Sequence, residues 1–208
     1  MRAAPTASAV QPSISTELQS SLNNVPLFAV GNEEGKPLQY QVAGKSMAIF
    51  YADVAAAKKQ LTAALDQNPN YDLVPVGLGS AVKLSCDGKA MVVPGLAELV
   101  AAGAPEDAQP MGQELPLFGC MEMARQNEDG TAFVPLFLSH SDCAAAVKEA
   151  SEPGPIVPLS LQGTLDQLND PASGSFTFEP PSASIIHVES YVGKGIYWRE
   201  AEPAEPEE

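Results

Sequence analysis

The chain writes one sequence of landmarks twice, and that repetition restricts its fold more than any other feature. Val25-Pro26-Leu27-Phe28 returns as Leu115-Pro116-Leu117-Phe118. The turn "GNEEGK" (31–36) returns as "QNEDGT" (126–131), and the apolar run "SMAIFY" (46–51) as "FVPLFL" (133–138). The alanine phrase "DVAAAKKQL" (53–61) answers "DCAAAVKEA" (142–150), and "LVPVGLGSAV" (73–82) answers "IVPLSLQGTL" (156–165). Landmarks recurring in one order mark an internal duplication, here over 25–84 and 115–168. Units this short are marginal alone, so the duplication predicts one body of two pseudo-symmetric lobes.

The unit reads as strand, turn, strand, strand, helix, strand. "VPLFAV" is a short strand whose proline suits an edge or a strand start. "GNEEGK" is a turn and "PLQYQVA" completes a hairpin. "SMAIFYA" is a continuous apolar run, as in a strand covered on both faces. Asp53 is placed to cap a helix that buries Val54, Ala57, Leu61, Ala64 and Leu65 and turns Lys58 and Lys59 outward. In the second unit Asp142 or Ser141 takes the capping place, with Cys143, Ala146, Val147 and Ala150 facing inward. The alanine alignment sets Cys143 opposite Val54, as a small core residue. "YDLVPVGL" returns as a strand, and "PGLAELVAAG" (94–103) predicts a further helix between Pro94 and Gly103.

These readings predict an α/β (α+β) class: two repeats forming one bilobal body, with a β-rich C-terminal segment. The expected divisions are a flexible stretch 1–24, a first lobe 25–93 and a helical linker 94–114. A second lobe 115–168, a β-rich extension 169–199 and an acidic disordered tail 200–208 follow. "SFTFE", "ASIIHVESYV" and "GIYWR" supply the strand signals in the extension. The Ser/Thr/Ala/Pro-rich start, "MRAAPTASAVQPSISTELQSS", is expected not to pack. It has one Arg and no apolar core, so it does not read as a secretory signal.

The formal charge of −15 over 208 residues disfavours nucleic acid or an anionic membrane surface as partner. No run approaches the ~20 apolar residues that cross a bilayer. Cys86, Cys120 and Cys143 are odd in number and widely spaced, against a metal site or a disulfide framework. One disulfide between two of the three stays open.

No motif points to catalysis, a metal or a cofactor. "SHSD" (139–142) sets Ser, His and Asp side by side, where neighbouring side chains cannot converge as a triad does. "GKS" (44–46) lacks the preceding glycine of a phosphate loop and leads into a strand. "GLGS" (77–80) is a lone glycine pair. His140 and His187 lack clustered carboxylates or thiols. Glu33, Glu34, Glu128 and Asp129 sit in equivalent exposed turns. What remains is surface: Leu27, Phe28, Leu117 and Phe118 open the two units in matching places. They are either core or the lining of a groove for apolar polypeptide, which a partner strand could also enter by backbone pairing. Tyr191, Tyr197 and Trp198 form an aromatic candidate for partner docking.

The segments "VPLFAVGNEEGKPL", "MAIFY" and "LVPVGLGSAVKL", with their restatement over 115–165, resemble the Tic22 family of cyanobacteria and plastids. The resemblance covers roughly 25–168. It implies a two-lobed pseudo-twofold α/β fold with apolar pockets. It also implies a chaperone-like, non-enzymatic role with preproteins and translocon components between the plastid envelope membranes, or with outer-membrane precursors in a cyanobacterial periplasm. The alternative is a permanent accessory subunit, peripheral on a plastid membrane complex such as a photosystem with its antenna.

Overall fold

The computed structural model describes residues 14–42, 44–126, 130, 132–150, 154–170 and 175–191. Helix α1 (Thr16–Leu22) leads into strands β1 (Pro26–Gly31), β2 (Gln39–Val42) and β3 (Lys45–Tyr51). Helix α2 (Val54–Leu65), β4 (Asp72–Gly77), α3 (Leu78–Cys86), β5 (Ala90–Val93) and α4 (Leu96–Ala101) complete the first half. The second half runs β6 (Pro116–Gly119), a short 3-10 turn (Met121–Met123), β7 (Arg125–Gln126) and β8 (Ala132–Phe137). It continues with α5 (His140–Glu149), β9 (Val157–Ser160), α6 (Leu161–Asn169), β10 (Ser175–Glu179) and α7 (Ser182–Tyr191). No helix among the described residues is long and apolar enough to cross a membrane.

Among the described residues, two five-stranded sheets form, ordered β2-β3-β1-β4 with β5 beside β3, and β10-β8-β6-β9 with β7 beside β8. Most pairs are antiparallel, while β5 and β10 join β3 and β8 in parallel. The class is therefore mixed α/β in two sheet-and-helix repeats, as the duplication predicts.

Pairing shows how far the duplication reaches. Phe28 faces Tyr51 and Pro75, and Phe118 faces Phe137 and Pro158. Loop hydrogen bonds recur at matched places: Leu78 N–H donates to Val25 O at 2.9 Å, and Leu161 N–H to Leu115 O at 2.8 Å. Ala52 N–H donates to Val93 O, and Leu138 N–H to Glu179 O. The match thus continues through β5 and β10 to α4 and α7, covering 25–101 and 115–191, spans of equal length.

Several sequence expectations need correction. The stretch 16–22 does pack: Ser15 caps α1, and Leu18 and Leu22 are buried in the central core. "LVPVGLGSAV" and its counterpart are strand only to Gly77 and Ser160, and then turn at once into α3 and α6. A continuous apolar run hides that change of period. "SFTFE" is a strand, but it is the repeat's own β10 and not an added β-rich extension. "ASIIHVESYV" forms α7 through Tyr191, not a strand. Pro181 precedes the helix, and burial of Ser184, His187 and half-buried Val188 on one face overrides the β-branched propensity of Ile185, Ile186 and Val188. On α2, Leu65 is exposed.

The alanine phrases also align differently in space. Asp53 caps α2 by accepting from Ala55 N–H, as expected, but Ser139 caps α5 by accepting from Asp142 N–H. With the caps superposed, Cys143 matches fully buried Ala57 and not Val54. The two phrases are slipped by three residues, nearly one helical turn, so the slip keeps the same face inward.

Among the described residues, three hydrophobic clusters form. The central one draws Leu27, Phe50, Leu117 and Leu136 from both sheets and Leu22, Leu78, Leu161 and Leu165 from α1, α3 and α6. The outer face of the first sheet, with Phe28, Val30 and Ile49, is covered by α2 and by Val188 of α7. The outer face of the second sheet, with Phe118, Cys120 and Phe137, is covered by α5 and by Ala102 after α4. Each repeat's third helix thus crosses to the other repeat.

Candidate functional site

Leu27, Phe28, Leu117 and Phe118 are all fully buried, at 0% exposure. Successive side chains of a strand point to opposite faces. The two leucines therefore enter the shared central core, and the two phenylalanines enter the separate outer cores. The paired tags are the places where each repeat is fastened together, and none of the four offers a surface to a partner in this structure.

The two histidines complete these outer cores. His187 of α7 meets Phe28 edge-on with ring centroids 5.2 Å apart, and His140 of α5 meets Phe118 at 5.2 Å. Burial lowers the His187 pKa, assisted by Lys58 and opposed by Asp72. In "SHSD", Ser139 is the helix cap and its Oγ lies 2.9 Å from Ser141 Oγ. His140 packs on Phe118, and Asp142 accepts from Ser182 N–H at 2.8 Å. The tetrapeptide builds a helix junction. Among the described residues, no group of three or more His, Cys, Asp or Glu is arranged to hold a metal ion.

Where the crossed helices begin, a cavity of about 210 Å³ lies between the repeats, lined in part by Asp53, Glu98, Ser139, Asp142 and Ser184. Glu98 accepts from His140 N–H at 2.7 Å and so ties α4 to α5. Burial raises the Glu98 pKa, and the bond from His140 N–H pulls it back. Ser184 holds the matching place on α7, where its buried Oγ has no partner. These carboxylates and hydroxyls are spent largely on helix N-termini, which is why the sequence shows no chemical motif around them.

One edge of each sheet, β4 in the first and β9 in the second, is blunted. Leu78 N–H donates to Val25 O, which sets the alternation so that Phe28 and Pro75 form a non-hydrogen-bonded pair. The position of the missing proline N–H then faces away from β1. Leu161 N–H to Leu115 O places Pro158 in the same way on β9. β4 and β9 therefore lack a donor at the centre of their exposed edge, which opposes strand addition there.

Exposed apolar side chains are concentrated differently in the two halves. Val157 and Leu159 on β9 are 43% and 36% exposed, and Met121 is 66% exposed two residues beyond Gly119, the partner of Val157. Their signal in the sequence is weak, because "IVPLSL" reads like its counterpart "LVPVGL", whose Val74 and Val76 are half-buried. Of the aromatic candidates, Tyr191 ends α7, while Tyr197 and Trp198 lie outside the described residues.

The chain matches no protein-family model and no curated protein by sequence. Its structure is similar to Tic22 from Plasmodium falciparum, with a TM-score of 0.68 and 17% identity over 85% of this chain and 98% of that one. It is also similar to Anabaena Tic22, a protein of protein transport, at a TM-score of 0.64 and 18% identity over 83% and 95% of the two chains. This is the Tic22 fold. At such identity the likeness extends to the arrangement of the Tic22 backbone. It covers nearly the whole of both solved Tic22 chains, so both repeats belong to it.

Proposed function

We propose that this protein is a non-enzymatic, polypeptide-binding protein of the Tic22 kind, acting in a chaperone-like manner on preproteins during their translocation into plastids. The observation that carries the reading is the near-complete structural coverage of Tic22 chains, one of them a protein-transport protein. The exposed Met121, Val157 and Leu159 give the second repeat apolar contacts for an extended client segment. Its partners are other proteins, and its place is the intermembrane space or the surface of plastid membranes, held there through protein contacts.

The test is aggregation of an unfolding preprotein, followed by light scattering with and without an equimolar amount of the chain. The expected outcome is a delay that weakens when Val157 and Leu159 are both changed to Ser. No delay, together with migration of the chain in one large complex at fixed stoichiometry on native electrophoresis, would overturn the reading in favour of a permanent accessory subunit.

A further inference from the structure

Cys120 and Cys143 lie in one buried cluster with Phe118, Met123, Phe137 and Val147. Their exposures are 1% and 0%, and both thiols are free. Cys86, at the end of α3, packs against a different cluster. Counted from the matched landmarks, Cys120 stands where the first repeat has Val30, and Cys143 where it has Ala57. Both of those residues are buried in the first outer core. One strand position and one helix position that carry hydrocarbon in the first repeat therefore both carry sulfur in the second.

The surroundings give the two sulfurs different parts. Cys120 Sγ–H donates to Glu122 Oε2 at 3.3 Å. Glu122 lines a surface cleft of about 540 Å³ together with Met123, Ala146 and Ala150. Those last three residues also pack into the cysteine cluster, so the cleft floor lies over the thiols. Cys143 is the deeper group, and its pKa is pushed up to about 11, by burial first and then by the nearby Cys120.

We propose that Cys120 and Cys143 are a dithiol couple that closes to an intramolecular disulfide when a low-molecular-weight disulfide, R–S–S–R, enters this cleft. Glu122 takes the Cys120 proton, and the thiolate attacks one sulfur of the oxidant. A Cys120–S–S–R bond forms, and R–S⁻ leaves and takes that proton as R–SH. Cys143 then attacks the Cys120 sulfur and expels a second R–S⁻, which leaves with the Cys143 proton. The couple loses two electrons, and the oxidant becomes two thiols. The new bond ties the end of β6 to α5 and clamps the second outer core, the one beside the exposed apolar edge.

The full chain is incubated with glutathione disulfide at about pH 8, where thiolate attack is appreciable. It is then acid-quenched, alkylated and mapped by mass spectrometry. The expected product is the Cys120 peptide linked to the Cys143 peptide, lighter by two hydrogens than the pair, in wild type and in Cys86→Ser alike. Cys143→Ala, which copies the first repeat, should halt at a glutathione adduct on Cys120. A link that includes Cys86 would overturn the proposal. So would a wild-type adduct on Cys120 with Cys143 left free, or two buried thiols still reduced after oxidant has modified Cys86.

Discussion

The two outer cores start from the same tag and are finished differently. Over the first, α2 has 12 residues and α7 has 10. Val188 and the His187 ring close the space above Phe28. Over the second, α5 has 10 residues and α4 only 6. The closing histidine comes from α5 itself, and on the other face of that sheet, opposite Leu117 and Gly119, Leu159 and Val157 stay exposed, as does Met121 after β6. Duplication therefore fixes the frame, while each copy settles for itself how its faces are covered. In the reading offered above, the better-covered copy supplies stability and the less-covered copy supplies binding.

That contrast can be broken most forcefully at the two phenylalanines. Phe28→Ala should cost about 3–5 kcal/mol, with Phe118→Ala at the lower end of that range, because Phe28 also anchors α7 from the other repeat. Urea unfolding of both variants measures the difference, and equal losses would remove the asymmetry. A smaller effect is expected where α1 lies on α3. A Cβ on Gly79 would stand 2.1 Å from Gln19 O, so Gly79→Ala should destabilise by about 1–3 kcal/mol. The matching Gln162→Ala in α6 loses only the bond from Leu115 N–H to Gln162 Oε1, about 1 kcal/mol. A Gly79 variant as stable as wild type would mean that α1 is not seated there.

The smallest effect separates the two alignments of the alanine phrases. Ser139→Ala should cost about 1 kcal/mol through the lost cap of α5. Asp142→Ala should leave that cap in place and free the Ser182 amide. Hydrogen exchange at the first turn of α5 and at Ser182 distinguishes these outcomes. Loss of protection in the α5 first turn on changing Asp142 would restore the sequence alignment over the spatial one.

The sequence shows the strands β1, β3, β4 and β10, the helices α2, α4 and α5, and the duplication itself. Those elements are long, clearly punctuated or strongly apolar. It hides α3 and α6, because they begin on the residue after a strand, inside an unbroken apolar run. It hides α7 because three β-branched residues outweigh the pattern until Phe28 and α2 are there to receive the helix. It misplaces the cap of α5 because both Ser139 and Asp142 are good capping residues and only tertiary structure selects between them. Leu27, Phe28, Leu117 and Phe118 stand at matched strand positions in the two repeats, as the repeated tag suggests. Their depth is not legible, since a strand covered on both faces and a strand lining a groove share one composition.

The crossing of α4 and α7 has a consequence for origins. A single copy of this unit, folded by itself, would carry its third helix over empty space and leave its own outer core covered only by its first helix. Two such copies exchanging that helix would satisfy each other around a twofold axis, as a helix-swapped homodimer does. The segment 102–114 then works as a tether that makes the exchange intramolecular. Once one chain holds both copies, symmetry no longer binds their sequences, and a valine and an alanine in one copy can stand opposite two cysteines in the other.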